Sequence, residues 1–221
     1  MSRYFNYFPK ENYTLNDNVN ITDYVTNIIS RYAFENKLKD NTVVFYEYQI
    51  HESDTPEIIA HKFYGNPERH WIVLMFNDIF DAQYDWPLNY NNFINFVDAK
   101  YTANGAANTP SQSGLTWAMS ENNVHSYYKV ITTTVADGSA TGSITINKLE
   151  VDANTYSNIP TSSSVSVTTA NNEYVTISTT KEKKTYYDYE NEINENKRTI
   201  KLLKKEFVDP VEKEFLRVIN A

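Results

Sequence analysis

Four histidines, His51, His61, His70 and His125, are the residues that could ligate a metal or move a proton near neutral pH. None sits in an H-E-x-x-H motif or in another spacing that puts two ligands on one helical face, and His61 and His70 fall on different predicted helices. They read as packing or polar-face residues. Asp78, Asp81 and Asp85 share a short stretch, but it lacks the alternating oxygen ligands and central glycine of a calcium loop, so a solvated loop is expected. The stretch from Asp137 to Ser143 carries Gly138 and Gly142, yet no lysine follows the second glycine and no helical pattern comes after it. Between Tyr127–Val135 and Ser143–Val151 it reads as a hairpin turn rather than a phosphate cradle. Ser162, Ser163 and Ser164 have no base nearby in sequence, and the absence of cysteine excludes disulfides, thiolate zinc sites and cysteine nucleophiles. No catalytic, metal or cofactor constellation emerges, and a non-enzymatic protein is expected.

Composition then points to contact surfaces. The chain has 221 residues, 41% of them hydrophobic, with 18 Tyr, 11 Phe and 3 Trp against only 5 Gly. Tyrosine joins an apolar body to a polar tip and suits surfaces that are wet before contact and dry within it. A net charge of -8 supplies no counterion-releasing surface, which argues against nucleic acid. The longest apolar run, Trp71 to Phe76, is far too short to span a bilayer, and Met1–Leu15 has no apolar signal core. A soluble protein assembled in a cytoplasm, without a membrane partner, is expected.

Charge is uneven along the chain. Residues 1–101 hold 14 acids and 8 bases, whereas residues 102–180 hold 5 acids, 2 bases and 36 Ser, Thr or Asn. Residues 181–221 return to 10 bases and 9 acids. These regimes divide the chain into an arm with a helix (1–41), an α/β module (42–101), a Ser/Thr/Asn-rich β insertion (102–185) and a helical tail (186–221).

In the arm, Tyr4, Phe5, Tyr7 and Phe8 crowd around Asn6 and stop at Pro9. Leaving such groups in water is costly, at about 25 cal/mol per Å²; docking onto the chain's own core and insertion into a neighbour both satisfy them. Tyr24, Val25, Ile28, Ile29 and Tyr32 have helical spacing, with Thr22-Asp23 as a cap. In the module, Val43–Ile50 reads as a strand. A helix follows, opened either by an Asp54/Glu57 capping box or by Thr55 with Pro56 at the first position, and closed at Gly65. Ile59 and Phe63 should face inward. Asn66-Pro67-Glu68 starts a second helix with Trp71, Leu74 and Met75 as its stripe, Asn77-Asp78 ends it, and Trp86-Pro87-Leu88 begins the return to the first strand. The insertion has five predicted strands, Leu115–Met119, Tyr127–Val135, Ser143–Val151, Ser164–Thr169 and Glu173–Thr180, nearly uncharged and able to pair edge to edge with another chain. Ile193, Ile200, Leu203 and Phe207 mark one tail helix, Asp209-Pro210 breaks it, and Val211, Phe215, Val218 and Ile219 mark a second. These narrow seams fit the chain's own body or a partner's groove. The fold class is α+β: a β-α-α-β core with an N-terminal arm, a β-rich insertion and a C-terminal helical tail.

Strand, helix, helix and return is the order of a LysM module. Tyr48-Gln49-Ile50, Asp54-Thr55-Pro56-Glu57-Ile58-Ile59-Ala60, Phe63-Tyr64-Gly65 and the apolar helix ending at Asn77 resemble that pattern. The inter-helix loop differs, and no tyrosine-proline-glycine-glutamine segment introduces a second strand. Tyr64-Gly65-Asn66-Pro67, His70-Trp71-Ile72-Val73-Leu74, Asn77-Asp78 and Asp85-Trp86-Pro87-Leu88 resemble a narrower family, the baseplate wedge subunits of contractile-tailed phages related to the T4 gene-53 product. Arg3-Tyr4-Phe5, Lys100-Tyr101, Tyr187-Asp188-Tyr189-Glu190, Asn196, Arg198, Ile200 and Leu203 extend the likeness. The resemblance implies a virion structural protein of the tail baseplate that joins neighbouring wedge subunits, with sheath-initiating or tube-proximal proteins as further partners, and a share in the rearrangement that triggers contraction. Partner contacts are then expected at Tyr4, Phe5, Tyr7, Phe8, Ile200, Leu203, Phe207 and Phe215. The alternative is a LysM-type peptidoglycan- or chitin-binding module, whose groove would use Asp54, Thr55, Asn77 and Asp78; the missing second-strand motif and the bulk of Trp71 disfavour glycan binding.

Overall fold

A computed structural model describes residues 7–14, 23–27, 32–81, 84–136, 142–169 and 174–219. It mixes helices and strands in two compact units, one made of Met1–Asn89 with Asn194–Ala221, the other of Tyr90–Ile193.

The first unit begins with an exposed antiparallel pair, β1 (Lys10–Tyr13) and β2 (Asp23–Thr26), in register from Lys10 opposite Thr26 to Tyr13 opposite Asp23. The helix expected from Tyr24 to Tyr32 therefore does not start there: Tyr24, Val25 and Thr26 are in a strand. Tyr24, Val25 and Thr26 are aromatic or β-branched, and the ladder to Lys10–Tyr13 gives their backbone groups partners that a helix start would lack. A short helix α1 (Asn36–Lys39) precedes strand β3 (Phe45–Gln49) and helix α2 (Pro56–Tyr64). Of the two predicted caps the structure uses Thr55, whose side chain accepts from the Ile58 N–H, with Pro56 in the first turn. Gly65 closes α2 at φ 70°, a left-handed conformation that glycine adopts without strain. Ile59, Ala60 and Tyr64 form the buried face of α2, whereas Phe63 is largely exposed and lies edge-on to Tyr48. The inward placing of Phe63 is thus corrected: its position on the helix circumference takes it past the core to the strand's outer surface.

Asn66 caps a single 3-10 turn (Pro67–Arg69) that feeds helix α3 (His70–Phe76), where Trp71, Ile72, Val73 and Phe76 are buried. The return strand does not come from Trp86–Leu88, since Pro87 has no N–H to give a ladder. It comes from the far end of the chain: β8 (Thr199–Leu203) pairs antiparallel with β3, Phe45 opposite Leu203 and Tyr48 opposite Ile200. The tail helix expected across Ile200 and Leu203 is therefore a strand, its alternate residues Ile200 and Leu202 both buried. Helix α8 (Lys205–Ile219) then runs straight through Pro210 instead of breaking at it. The proline lies near the helix start and removes only the bond to the Glu206 carbonyl, while Val208, Phe215 and Ile219 anchor one face in the core.

The second unit opens with helix α4 (Tyr90–Asn108), which passes without interruption through Tyr101, the expected end of the module. Phe93, Val97, Tyr101 and Gly105, each four apart, form its buried face. Leu115–Met119, expected as a strand, lies in helix α5 (Gly114–Met119), capped by Ser113 accepting from the Thr116 N–H. The other four predicted strands are present as β4 (Val124–Ala136), β5 (Ser143–Val151), β6 (Ser162–Thr168) and β7 (Tyr174–Thr185), with a short helix α6 (Ala153–Asn158) between β5 and β6. They make one antiparallel sheet in the order β5-β4-β7-β6. Val135 pairs with Ser143, so the predicted hairpin closes, although residues 137–141 of its turn lie outside the described set. Helix α7 (Tyr186–Asn196) carries the chain back to β8.

Candidate functional site

The residues expected to grip a partner are mostly core. Tyr4 and Phe5 lie outside the described residues. Tyr7 and Phe207 are half-buried, and Phe8, Ile200, Leu203 and Phe215 are buried. Phe8, Tyr32 and Phe215 meet edge to face at centroid distances of 5.8, 6.3 and 5.4 Å, and Trp71 stacks on Phe215 at 4.5 Å. For these four buried side chains the choice left open by the sequence falls to the chain's own core, and their direct contact with a partner is corrected accordingly. Arg69 holds α8 from outside, with Nε and Nη2 on the two carboxylate oxygens of Glu212 at 2.8 and 3.0 Å and Nη2 on Asp209 at 2.8 Å.

The four groove residues of the glycan alternative are internal fasteners in three cases. Asp54 is buried and accepts from Tyr48 Oη (2.6 Å), Lys62 Nζ (2.6 Å) and the His51 N–H (3.1 Å). Burial pushes its carboxyl up, but these bonds outweigh burial and hold it down at about 2. Tyr48 is pushed up to about 12, by burial first and then by its bond to the Asp54 carboxylate. Asn77 donates from Nδ2 to the carbonyls of Val73 and Lys201, each at 2.8 Å, and its Oδ1 accepts from the Lys201 N–H at 2.7 Å. Asp78, at φ 55°, takes Lys39 Nζ on both oxygens at 2.7 and 2.6 Å. Thr55, the helix cap, and Asp78 are exposed, whereas Asp54 is buried and Asn77 half-buried.

Two separated stretches of the sequence signature converge in the second unit. Glu190, buried on α7, accepts from Tyr101 Oη at 2.7 Å and Lys100 Nζ at 2.6 Å. Burial, with the Glu190 bond and charge, pushes the Tyr101 phenol up. In the first unit, Arg198 bonds Glu195, Glu52 and the Leu88 carbonyl, and Asn194 bonds both backbone groups of Leu88 at 2.7 and 3.1 Å. These polar residues fasten the fold. Among the described residues no group of three or more His, Cys, Asp or Glu is placed to hold a metal, and no helix is long and apolar enough to cross a membrane.

The surfaces open to a partner lie elsewhere. All seven residues of the edge strand β6 are exposed, and none is charged. The register puts Val165 and Val167 on the same sheet face as Val175, Ile177, Ile131 and Val135, with Val165 62% and Val167 55% exposed. Pattern reading found the strand, because uncharged β-branched runs show in sequence, but its place at the edge comes from the strand order. It missed Phe80 and Tyr84, which hide among the aspartates of an expected solvated loop and are 62% and 63% exposed.

The family described as Base plate wedge protein 53 matches residues 3–218. The chain belongs to this baseplate wedge family. It is also 46% identical over 39 residues to baseplate wedge protein gp53 of Enterobacteria phage T4, a stretch covering 18% of this chain and 20% of the length of that protein. The wedge family is a structural one and part of the phage tail baseplate. The match extends across both units, so the β insertion belongs to the same family member as the α/β module.

Proposed function

We propose that this wedge protein joins neighbouring wedge subunits while the baseplate assembles, and moves with them in the rearrangement that triggers contraction. On this reading β3, α2, α3 and β8 are a LysM-like core used as a rigid body, with Tyr90–Ile193 inserted ahead of its second strand. The observation that carries the reading is β6: an edge strand exposed along its whole length, without one charge to block pairing, in a member of a baseplate family. A neighbouring strand laid against it would satisfy its outward backbone groups and cover Val165 and Val167. Asp54 and Asn77, which a glycan groove would need, are spent on internal bonds, so the wedge role is the one retained.

The test is the V165K/V167K double variant, whose changed side chains lie on the exposed edge. It should fold normally, fail to enter baseplates when supplied to phage lacking the native protein, and lose at least about tenfold in affinity for the wedge subunit that binds wild type. Baseplates assembled from the variant at wild-type yield would refute the proposal.

A further inference from the structure

The edge strand β6 is close to a palindrome. Residues 164–168 run Ser-Val-Ser-Val-Thr, with Ser166 at the centre. The one strand beside β6 is β7, so alternate backbone N–H and C=O groups along it point outward, ready for a further ladder. Two copies of β6 laid antiparallel about a two-fold axis at Ser166 would set each Val165 opposite Val167 of the second copy. The same register puts Ser164 opposite Thr168 of the second copy, and Ser166 opposite its own equivalent. Facing residues in an antiparallel ladder share one side of the sheet, so the valines meet on one face and the hydroxyls on the other.

Both kinds of pair are already used inside the sheet. Val167 faces Val175 and Val165 faces Ile177, while Ser166 Oγ lies 3.1 Å from Thr176 Oγ1. Edge-to-edge pairing would carry these rows onward, turning two four-stranded sheets into one of eight strands. On the apolar face, Val135, Val175 and Val167 would run on into Val165, Ile177 and Thr133 of the second copy.

Charge distribution permits the pairing even though each chain has a net charge of -8. From Ala153 to Asn172 there is no charged residue, and the part of β7 that faces β6, Tyr174 to Thr180, has none either. No like charges are therefore set against one another along these two strands, and charges farther off are screened beyond about 8 Å at physiological salt. The opposite edge, β5, carries Lys148 and Glu150, the kind of charge that keeps an edge unpaired. An uncharged strand offers nothing by which charge could choose a foreign partner; what it offers is a register that complements itself.

We infer that β6 takes as its partner β6 of a second copy of this chain, antiparallel and two-fold about Ser166. The inference rests on the edge-strand reading above and deepens it by naming the strand laid against β6.

The experiment is sedimentation equilibrium of the full-length protein, for wild type, S166K, S166E and an equal mixture of the two variants. So small an interface should give a wild-type dimer with a Kd on the order of 10–100 μM. Ser166 is exposed, so each variant should keep the wild-type circular dichroism and melting temperature. Either variant alone brings like charges together at the axis and should weaken dimerisation at least about tenfold, whereas the mixture opposes lysine to glutamate and should recover a heterodimer. Variants that dimerise as well as wild type overturn the pairing through β6. Monomeric variants whose mixture also stays monomeric overturn the axis at Ser166, and wild-type association beyond a dimer overturns the closed two-fold. A wild type still monomeric at about 500 μM overturns the second copy as occupant; the wedge-joining reading then stands if V165K/V167K fails to enter baseplates. Dimerisation through β6 alongside normal baseplates from V165K/V167K overturns the assembly role and leaves the pairing itself.

Discussion

Asn77 should prove to be the fastener of the closing strand, and its removal can be priced from the structure. Strand β8 is an edge of a two-stranded sheet, so the N–H and C=O of Lys201 that point away from β3 have no strand partner. The Asn77 amide takes both, at 2.7 and 2.8 Å, and also donates to the Val73 carbonyl at 2.8 Å, locking the end of α3 to the strand. Three bonds at about 1 kcal/mol net each give a loss of about 3 kcal/mol for Asn77→Ala. With a urea slope of about 2 kcal/mol/M, the unfolding midpoint should drop by about 1.5 M. Tryptophan fluorescence reads the transition, since Trp71 and Trp86 both lie in this unit. Asn77→Asp keeps the acceptor for the Lys201 N–H but loses both donated bonds, and should fall by about two-thirds as much. A midpoint shift below about 0.5 M for Asn77→Ala would refute the fastening role.

Two further changes test the packing, one in each unit. Asp54, held at about 2 against an ordinary 3.8, contributes about 2 kcal/mol that is fully present above pH about 4 and is lost as pH falls through about 2. The stability gap between wild type and Asp54→Asn, measured by urea unfolding from pH 7 down to 2, should therefore close in acid; a constant gap would contradict the assignment. In the second unit, a Cβ on Gly114 would lie 2.2 Å from the Asp98 carbonyl oxygen and 2.5 Å from the Thr102 nitrogen, backbone atoms that cannot rotate aside. Gly114→Ala should cost about 2–3 kcal/mol by forcing α5 off α4, seen as early thermal loss of the Trp117 signal, because that ring stacks on Tyr101 at 5.6 Å. An unchanged melting temperature would show that the two helices yield more easily than their backbone contact implies.

Local chemistry was legible where it was self-contained. The Thr55-Pro56 start and Gly65 stop of α2 follow from residues within one turn of each end, and four insertion strands follow from β-branched runs between turn residues. Leu115–Met119 misled because its leucine, threonine and tryptophan suit a strand as well, and the deciding features were a cap at Ser113 and a glycine that fits only against α4. Phe8 and Phe215 misled differently. Their spacing showed that they must be buried but carried no record of what buries them, and the burying groups, Trp71 and Tyr32, are brought up by folding. Phe80 and Tyr84 are the converse case: the aspartates near them in sequence read as a solvated loop, and only the structure shows that both rings are exposed.

The misread strand has a consequence for how the molecule is made. Ile200, Leu202, Leu203, Val208, Phe215 and Ile219 belong to the same buried cluster as Phe45, Ile59, Trp71 and Phe76, across some 150 residues of chain. During synthesis the α/β module therefore lacks its second strand and one wall of its core until α8 has emerged, long after β3, α2 and α3 are available. The segment Tyr90–Ile193 has no such dependence, for its helices and four strands are continuous in sequence and it can close first. Its return helix then delivers Arg198 beside Glu52 and β8 beside β3, the position that Asn77 fastens. The insertion thus separates the two sequence halves of one core, and the family match, residues 3–218, takes in both halves and the segment between them.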